Sequence, residues 1–179
     1  MERSAAAAHV RMLISDLAGM ITPETIEIVK STAPVVREHG EKITARMYEI
    51  AFQERPDYRL GFGNTFMQHF DGGGQAKKLA SSIYAYATHI DKLDELAAAV
   101  DHIAHRHVNA RILPEQYPLI GEKLLQAMKE VLGAAATDEI IDAWREAYSA
   151  LASVFIEAEA KLYRENDQKH LDRLASGDG

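Results

Sequence analysis

One histidine stands where a helix would be expected to present an apolar side chain. Leu93, Leu96, Val100, Ile103 and His107 follow one another at intervals of 3, 4, 3 and 4 residues, which places them on one face of an α-helix. Burying an imidazole costs free energy unless a partner takes its lone pair. A metal is one such partner, so His107 is a candidate metal ligand, and a histidine satisfied within the core is the alternative.

Four further polar side chains fall on apolar faces of predicted helices. Glu159 shares a stripe with Phe155, and the helix wheels also carry Tyr48, Gln75 and Tyr117 inward. Buried polar groups need partners, so one or two shared sites are the economical inference. The alternatives are a cation near Glu159, ordinary core packing for both tyrosines, and a solvent-facing Gln75.

The elements that must position these residues are helices, since nearly every periodic segment has helical spacing. No Asn-Gly or Asp-Gly pair lies between two strand-like runs, so we predict an all-α fold of six or seven helices. Thr22 and Thr137 read as N-caps, Gly40 as a helix end, and residues 56–74 as irregular because of their glycines. The predicted helices cover 1–19, 23 to before Gly40, 41–54, 75–91, 93–107, 114–132 and 137–165.

Composition narrows the functional classes. The chain has 179 residues, which favours one domain, and a net charge of −7, which argues against nucleic acid and anionic membrane surfaces as partners. It has no cysteine, which excludes disulfides and thiolate metal sites. No apolar run approaches the roughly 20 residues that span a bilayer, and the N-terminus is a poor secretory signal, so we expect a cytoplasmic protein.

Five segments together resemble the bacterial haemoglobins, that is, the single-domain haemoglobins and the globin domain of flavohaemoglobins. The resemblance covers about residues 20–165. The matching segments read ITPETIEIVKSTAPVVREHG, ITARMYEIAFQERPDYRLGF, QAKKLASSIYAYATHIDKLDELAAAVDHIAHRHV, ILPEQYPLIGEKLLQAM and IIDAWREAYSALASVFIEAEAKLY. The resemblance implies a globin fold, a three-over-three helical sandwich, which encloses haem b (iron protoporphyrin IX).

The resemblance also implies roles for individual residues. His107 corresponds to the proximal iron ligand, and Tyr117 and Glu159 to the tyrosine and glutamate that flank it. On the opposite side, Tyr48 and Gln75 correspond to the distal pair. Further haem contacts are expected from Phe62, which wedges against the porphyrin, from Leu79 and Ile103, and from Arg106, which could meet a propionate or lie solvated at the surface.

The activity that the resemblance implies is dioxygenation of nitric oxide to nitrate. A carboxylate behind the imidazole makes that ring more anionic and favours oxidised iron, which a plain oxygen store does not need. The expected small ligands are O2, NO and CO, and each turnover consumes one electron. Only sixteen residues follow Tyr163, so we expect a separate NAD(P)H-dependent reductase. The alternatives are an O2 carrier or store that serves respiration and a haem-based sensor or interaction module.

Two stretches of the chain depart from the family pattern. The segment from Phe62 to Gln75 is longer and richer in glycine than usual, which leaves the position of Gln75 open. Residues 1–19 have no family counterpart; they are an N-terminal extension, either a helix that covers the globin, a homodimer contact, or the product of a start misassigned upstream of Met20. We therefore divide the chain into this extension, a globin domain at 20–165, and a polar, frayed tail at 166–179.

Overall fold

The computed structural model describes residues 2–62 and 74–177. This part of the chain contains seven α-helices and no β-strand, which confirms the all-α prediction, including an N-terminal helix. Short 3₁₀ helices cover Pro56–Phe62, Leu93–Leu96 and Gly133–Ala135. None of the helices in this part is both long and apolar enough to cross a membrane. The helices are α1 (Glu2–Ala18), α2 (Pro23–Ser31), α3 (Ala33–Glu54), α4 (Gly74–His89), α5 (Ala97–Asn109), α6 (Gln116–Leu132) and α7 (Asp138–Ser176).

Two helices begin at the threonines that the sequence indicated. The hydroxyl of Thr22 accepts a hydrogen bond from the backbone N–H of Thr25 at 3.2 Å, and Pro23 occupies the first helical position. The hydroxyl of Thr137 accepts from the N–H of Ile140 at 3.3 Å. Each hydroxyl satisfies an N–H that the helix itself leaves without a partner, so both predicted starts are confirmed.

The predicted helix end at Gly40 is wrong. α2 ends at Ser31, and α3 begins at Ala33 and runs through Gly40. A Cβ on Gly40 would lie 3.4 Å from the Cβ of Ala80, so this glycine lies inside α3 against the neighbouring helix α4 rather than at a helix end.

The break between α2 and α3 lies instead at Thr32. The indole N–H of Trp144 donates to the hydroxyl of Thr32 at 3.0 Å, and both residues are buried. A buried indole N–H needs an acceptor, and this bond ties the α2–α3 junction to α7.

α7 is longer than predicted. The tail that we expected to fray is helical as far as Ser176, and every residue from Arg164 to Ser176 is exposed. The helix ends before Gly177, which has a φ of 74° in the left-handed region that favours glycine. The segment lacks an internal glycine or proline, and Gln168 donates to Asp172 one turn later at 2.8 Å.

Helices α4 and α5 are, in the described part of the chain, among the helix pairs that do not pack against each other. α3 packs against α4 and α6, while α7 packs against α1, α2, α5 and α6. Within the described residues, the backbones of α4 and α5 do not approach each other, although both contact the Leu93–Leu96 turn between them. The two helices therefore diverge from that turn, and the candidate site residues lie on both of them.

Candidate functional site

His107, Tyr117 and Glu159 come from three different helices and meet in one hydrogen-bonded cluster. The Nδ1 of His107 lies 2.7 Å from the Oε1 of Glu159 and 3.0 Å from the hydroxyl of Tyr117. The Tyr117 hydroxyl donates to the same Oε1 at 2.7 Å. Since a carboxylate oxygen only accepts, it takes the Nδ1 proton of the imidazole as well as the phenol proton.

This arrangement fixes the tautomer of the imidazole. With the proton held at Nδ1, the lone pair lies on Nε2, at the opposite side of the ring. The His107 side chain is 32% exposed, whereas the Glu159 side chain is only 3% exposed. The ring of Phe155 lies 5.5 Å from the imidazole, centroid to centroid, on the same inner face of α7 as Glu159. The cluster therefore buries the carboxylate and presents a nitrogen lone pair outward.

The Tyr117 phenol keeps its proton. Burial and the neighbouring carboxylate of Glu159 raise the pKa of Tyr117 well above its usual value. A protonated phenol has one hydrogen to donate, and it goes to Glu159.

The position of Tyr117 depends on a contact with α7. The hydroxyl of Tyr148 donates to the backbone carbonyl of Tyr117 at 2.7 Å, and burial raises the pKa of Tyr148. The Tyr148 ring lies directly over Gly121, where a Cβ would come within 2.2 Å of it. Gly121 thus provides the space in which α6 and α7 approach.

The end of α5 is anchored close to His107. The backbone N–H of Ile112 donates to the carbonyl of His107 at 2.9 Å, and the hydroxyl of Tyr163 donates to the carbonyl of Ile112 at 2.7 Å. Arg111 between them has a φ of 57°, in the left-handed region. The chain therefore turns sharply after α5 and is held against α7, the helix that carries Glu159.

Tyr48 and Gln75 form a second cluster, between α3 and α4. The Tyr48 side chain is buried and stacks on Phe52 at 5.6 Å, centroid to centroid. Burial raises the pKa of Tyr48 to about 12, and a hydrogen bond from the Gln75 side chain opposes part of that rise. Gln75 is half-buried in the first turn of α4. The phenol is therefore a neutral donor at physiological pH.

Thr44, which the sequence analysis did not single out, aligns this cluster. Its hydroxyl donates to the backbone carbonyl of Ala76 at 2.7 Å, and both residues are fully buried. Thr44 lies one turn before Tyr48, and Ala76 follows Gln75 directly, so the bond links α3 and α4 beside the pair. The position of Thr44 on the inner face of α3 was a signal that could have identified it. In the same way, the inward-facing position of Gly121 could have indicated the contact with Tyr148.

The remaining predicted residues lie around these clusters. Leu79 on α4 and Ile103 on α5 are half-buried and pack against the core. Arg106 is exposed on the last turn of α5. Phe62 ends a 3₁₀ helix, and its side chain lies outside the described residues.

The donor set is suited to a haem. A neutral imidazole with a carboxylate behind its Nδ1 is a common axial ligand of haem iron. The lone pair of His107 is accessible, and α5 diverges from α4, which carries Gln75 and Leu79. Within the described residues, no group of three or more histidine, cysteine, aspartate or glutamate side chains could hold a bare metal ion.

Comparisons with known proteins agree with this architecture. The Globin family model matches residues 45–155. A flavohemoprotein of Halalkalibacterium halodurans is 48% identical over 148 residues, which are 83% of this chain and 35% of the relative. An uncharacterized globin-like protein of Aquifex aeolicus is 46% identical over 144 residues, which are 80% of this chain and 98% of the relative.

Among solved structures, an engineered carbene transferase, described as a putative nitric oxide dioxygenase from Rhodothermus marinus, superposes with a TM-score of 0.75. It is 33% identical, and the match covers 82% of this chain and 99% of that one. The likeness confirms the predicted globin fold. The chain spans only about a third of the length of the flavohemoproteins that it matches. From the family match, the shared fold and the identity to these relatives, we conclude that this chain belongs to the globin family.

Proposed function

We propose that this globin binds haem b through His107 and converts nitric oxide and O2 to nitrate with electrons from a separate reductase. The observation that carries the proposal is the single carboxylate oxygen of Glu159, which accepts hydrogen bonds from both His107 and Tyr117. An oxygen-storage protein needs an axial imidazole, but it does not need a buried carboxylate that makes this imidazole more electron-donating.

Bound haem supplies the iron at which O2 binds and reacts with nitric oxide; the chain supplies orientation and polarity. Glu159 holds the proton on Nδ1 of His107, so that the Nε2 lone pair is directed away from α7. Tyr117 donates a second hydrogen bond to the same oxygen and keeps the carboxylate in place. Leu79 and Ile103 offer apolar surface to the porphyrin, and exposed Arg106 can meet a propionate.

Tyr48, buried in the cluster between α3 and α4, would be the hydrogen-bond donor to a diatomic ligand. Its pKa of about 12 keeps the phenol protonated, and Gln75 orients the hydroxyl through their shared hydrogen bond. A hydrogen bond to a partly charged ligand stabilises it by roughly 1–3 kcal/mol.

The relatives support this proposal without deciding it. One is named a flavohemoprotein, and a solved relative at 33% identity is described as a putative nitric oxide dioxygenase. Each turnover consumes one electron, so a reductase that delivers this electron is part of the proposal. The contact of Phe62 with the porphyrin and a homodimer also remain predictions.

The test is reductase-coupled consumption of nitric oxide by the haem-loaded protein in the presence of O2 and NADH. We expect His107→Ala to lose haem, and Glu159→Gln to keep haem but lose turnover by about 10–100-fold. The matched control is Glu157→Gln, an exposed glutamate two residues away on α7, which should leave turnover unchanged. Turnover no faster than that of free haem, or equal turnover in both glutamate variants, would overturn the proposal.

An O2 carrier is the second candidate, favoured by the Tyr48–Gln75 pair, which could retain O2 without any turnover. Tyr48→Phe should accelerate O2 dissociation under either function. A wild-type protein that holds O2 reversibly, oxidises slowly and shows no catalytic consumption of nitric oxide would favour the carrier.

A further inference from the structure

α1 lies behind the two helices that carry His107 and Glu159. It packs against α5, α7 and the Leu93–Leu96 turn. Its Val10, Ile14 and Leu17 are at most 3% exposed, so the helix is fully seated on this surface. α1 lies outside the residues matched by the Globin family model.

The three helices meet at a small cavity close to the His107–Glu159 pair. Val10 on α1 faces Ala104 on α5 and Ala158 on α7 across this cavity. Ala104 lies one turn before His107, and Ala158 directly precedes Glu159. The full lining consists of His9, Val10, Asp101, Ala104, Ala158, Lys161, Leu162 and Glu165.

Apolar packing, rather than hydrogen bonding, holds α1 against α5 and α7 at this cavity. The Nε2 of His9 is buried and has no hydrogen-bond partner among the described residues. The charged groups around it pair along their own helices: Asp101 lies 3.7 Å from His105, and Lys161 lies 3.9 Å from Glu165. The contact of α1 with α5 and α7 therefore depends on apolar packing.

Val10 is the apolar side chain of α1 that lines this cavity. Ala104 and Ala158 are both buried and present only methyl groups, so the separation of α5 and α7 here depends on what lies between and behind them. Protein interiors are close-packed, and a change of one or two methyl groups is transmitted to neighbouring helices. The 2.7 Å hydrogen bond between Nδ1 of His107 and Oε1 of Glu159 spans these same two helices.

We propose that α1 is a positioning element, in which Val10 sets the spacing of α5 and α7 and thereby the strength of the His107–Glu159 hydrogen bond. This inference rests on the proposed haem ligation by His107. It makes Val10 a positioning residue that acts through His107 and touches neither cofactor nor substrate.

The experiment measures the iron–histidine stretching frequency of the ferrous, ligand-free, haem-loaded protein by resonance Raman spectroscopy. A weaker hydrogen bond at Nδ1 makes the imidazole less electron-donating and lowers this frequency. We expect Val10→Ala to lower it, by less than Glu159→Gln does. The matched control is Met12→Ala on the same helix, where the side chain is 54% exposed; the frequency should stay unchanged.

The Glu159→Gln variant distinguishes a failure of this inference from a failure of the proposed function. If it lowers the frequency and Val10→Ala does not, α1 only stabilises the fold and this inference is overturned, while the proposed function stands. If Glu159→Gln leaves the frequency unchanged, the role proposed for Glu159 is wrong and the inference falls with it. Should Val10→Ala not fold, Val10→Ile, which adds a methyl group at this cavity, must shift the frequency for the inference to hold.

Discussion

A single oxygen atom organises the proximal cluster. Oε1 of Glu159 accepts from both the Nδ1 of His107 and the hydroxyl of Tyr117. The phenol and the carboxylate differ in what their loss leaves behind. Loss of the phenol still leaves the carboxylate paired with the imidazole. Loss of the carboxylate leaves two half-buried donors without their acceptor. The carboxylate is therefore the less replaceable member.

Tyr117→Phe tests this asymmetry. It removes one donor but leaves the 2.7 Å bond between His107 and Glu159, so the free energy of unfolding should fall by only about 1 kcal/mol. Urea denaturation of the variant, compared with Glu159→Ala, measures the difference. A loss above about 3 kcal/mol, or one equal to that of Glu159→Ala, would show that the phenol is as essential as the carboxylate.

Gly121 has a steric role that a substitution can measure. A methyl group there would lie 2.2 Å from the Tyr148 ring, so Gly121→Ala must displace the ring that binds the carbonyl of Tyr117. We expect a loss of about 1–3 kcal/mol in unfolding free energy, typical of overpacking. Gly74→Ala is the matched control, because nothing lies within 4 Å of its added Cβ. An equally stable Gly121→Ala variant would mean that α6 and α7 separate readily.

The sequence could predict which residues face inward but not how they meet. Helix wheels placed His107, Tyr117 and Glu159 on inner faces of three helices, and the structure brings all three within hydrogen-bond distance. A wheel contains no crossing angle or interhelical distance, so the contacts that set these were missed. Thr44 binding to Ala76 and Tyr148 lying over Gly121 are the two examples.

At the scale of the element, the sequence predicted helix starts correctly where contacts between near neighbours in the chain determine them. The hydroxyls of Thr22 and Thr137 cap their own helices through neighbours three residues away. The predicted helix end at Gly40 was wrong because a glycine inside a helix lowers its stability by only about 1 kcal/mol. The packing of α3 against α4 offsets this loss. The partner in that contact, Ala80, is forty residues away in the chain.

The exposed end of α7 supports a prediction about truncation. Every described residue after Tyr163 is exposed, so a chain that ends at Asn166 loses no buried residue and keeps the Lys161–Glu165 pair. Its unfolding free energy should change by less than about 0.5 kcal/mol. Thermal unfolding of the two chains checks this. A clear loss of stability that depends on protein concentration would show that the segment pairs with a second copy.

At the scale of the whole molecule, buried phenols are a recurring feature. Burial raises the pKa of Tyr48, Tyr86, Tyr117 and Tyr148 above their ordinary value. Each of these hydroxyls makes a hydrogen bond to a group on another helix; Tyr86, for example, donates to the carbonyl of Ala147 at 2.8 Å. The fold therefore favours the protonated form of each phenol.

This preference predicts a loss of stability at alkaline pH. Above pH 10 the unfolded chain releases phenolic protons that the folded chain retains, so the unfolding free energy falls as the pH rises. Tyr48 has a folded pKa of about 12. By a pH equal to this value, its contribution to the unfolding free energy, on the order of 2–3 kcal/mol, is lost. Urea denaturation at pH 8, 10 and 11 tests this, with Tyr48→Phe expected to show a shallower decline. An identical decline in the variant would place the effect elsewhere.

The bond between Trp144 and Thr32 also gives the molecule a built-in optical reporter. Trp144 is the only tryptophan in the chain, and its buried indole sits where α7 meets the α2–α3 junction. Its fluorescence should be emitted at short wavelength in the folded protein and shift to the red when that junction opens. Since a porphyrin absorbs in the same range and quenches a nearby indole, the same signal should fade as haem is taken up, so that folding and cofactor uptake can be followed without a label.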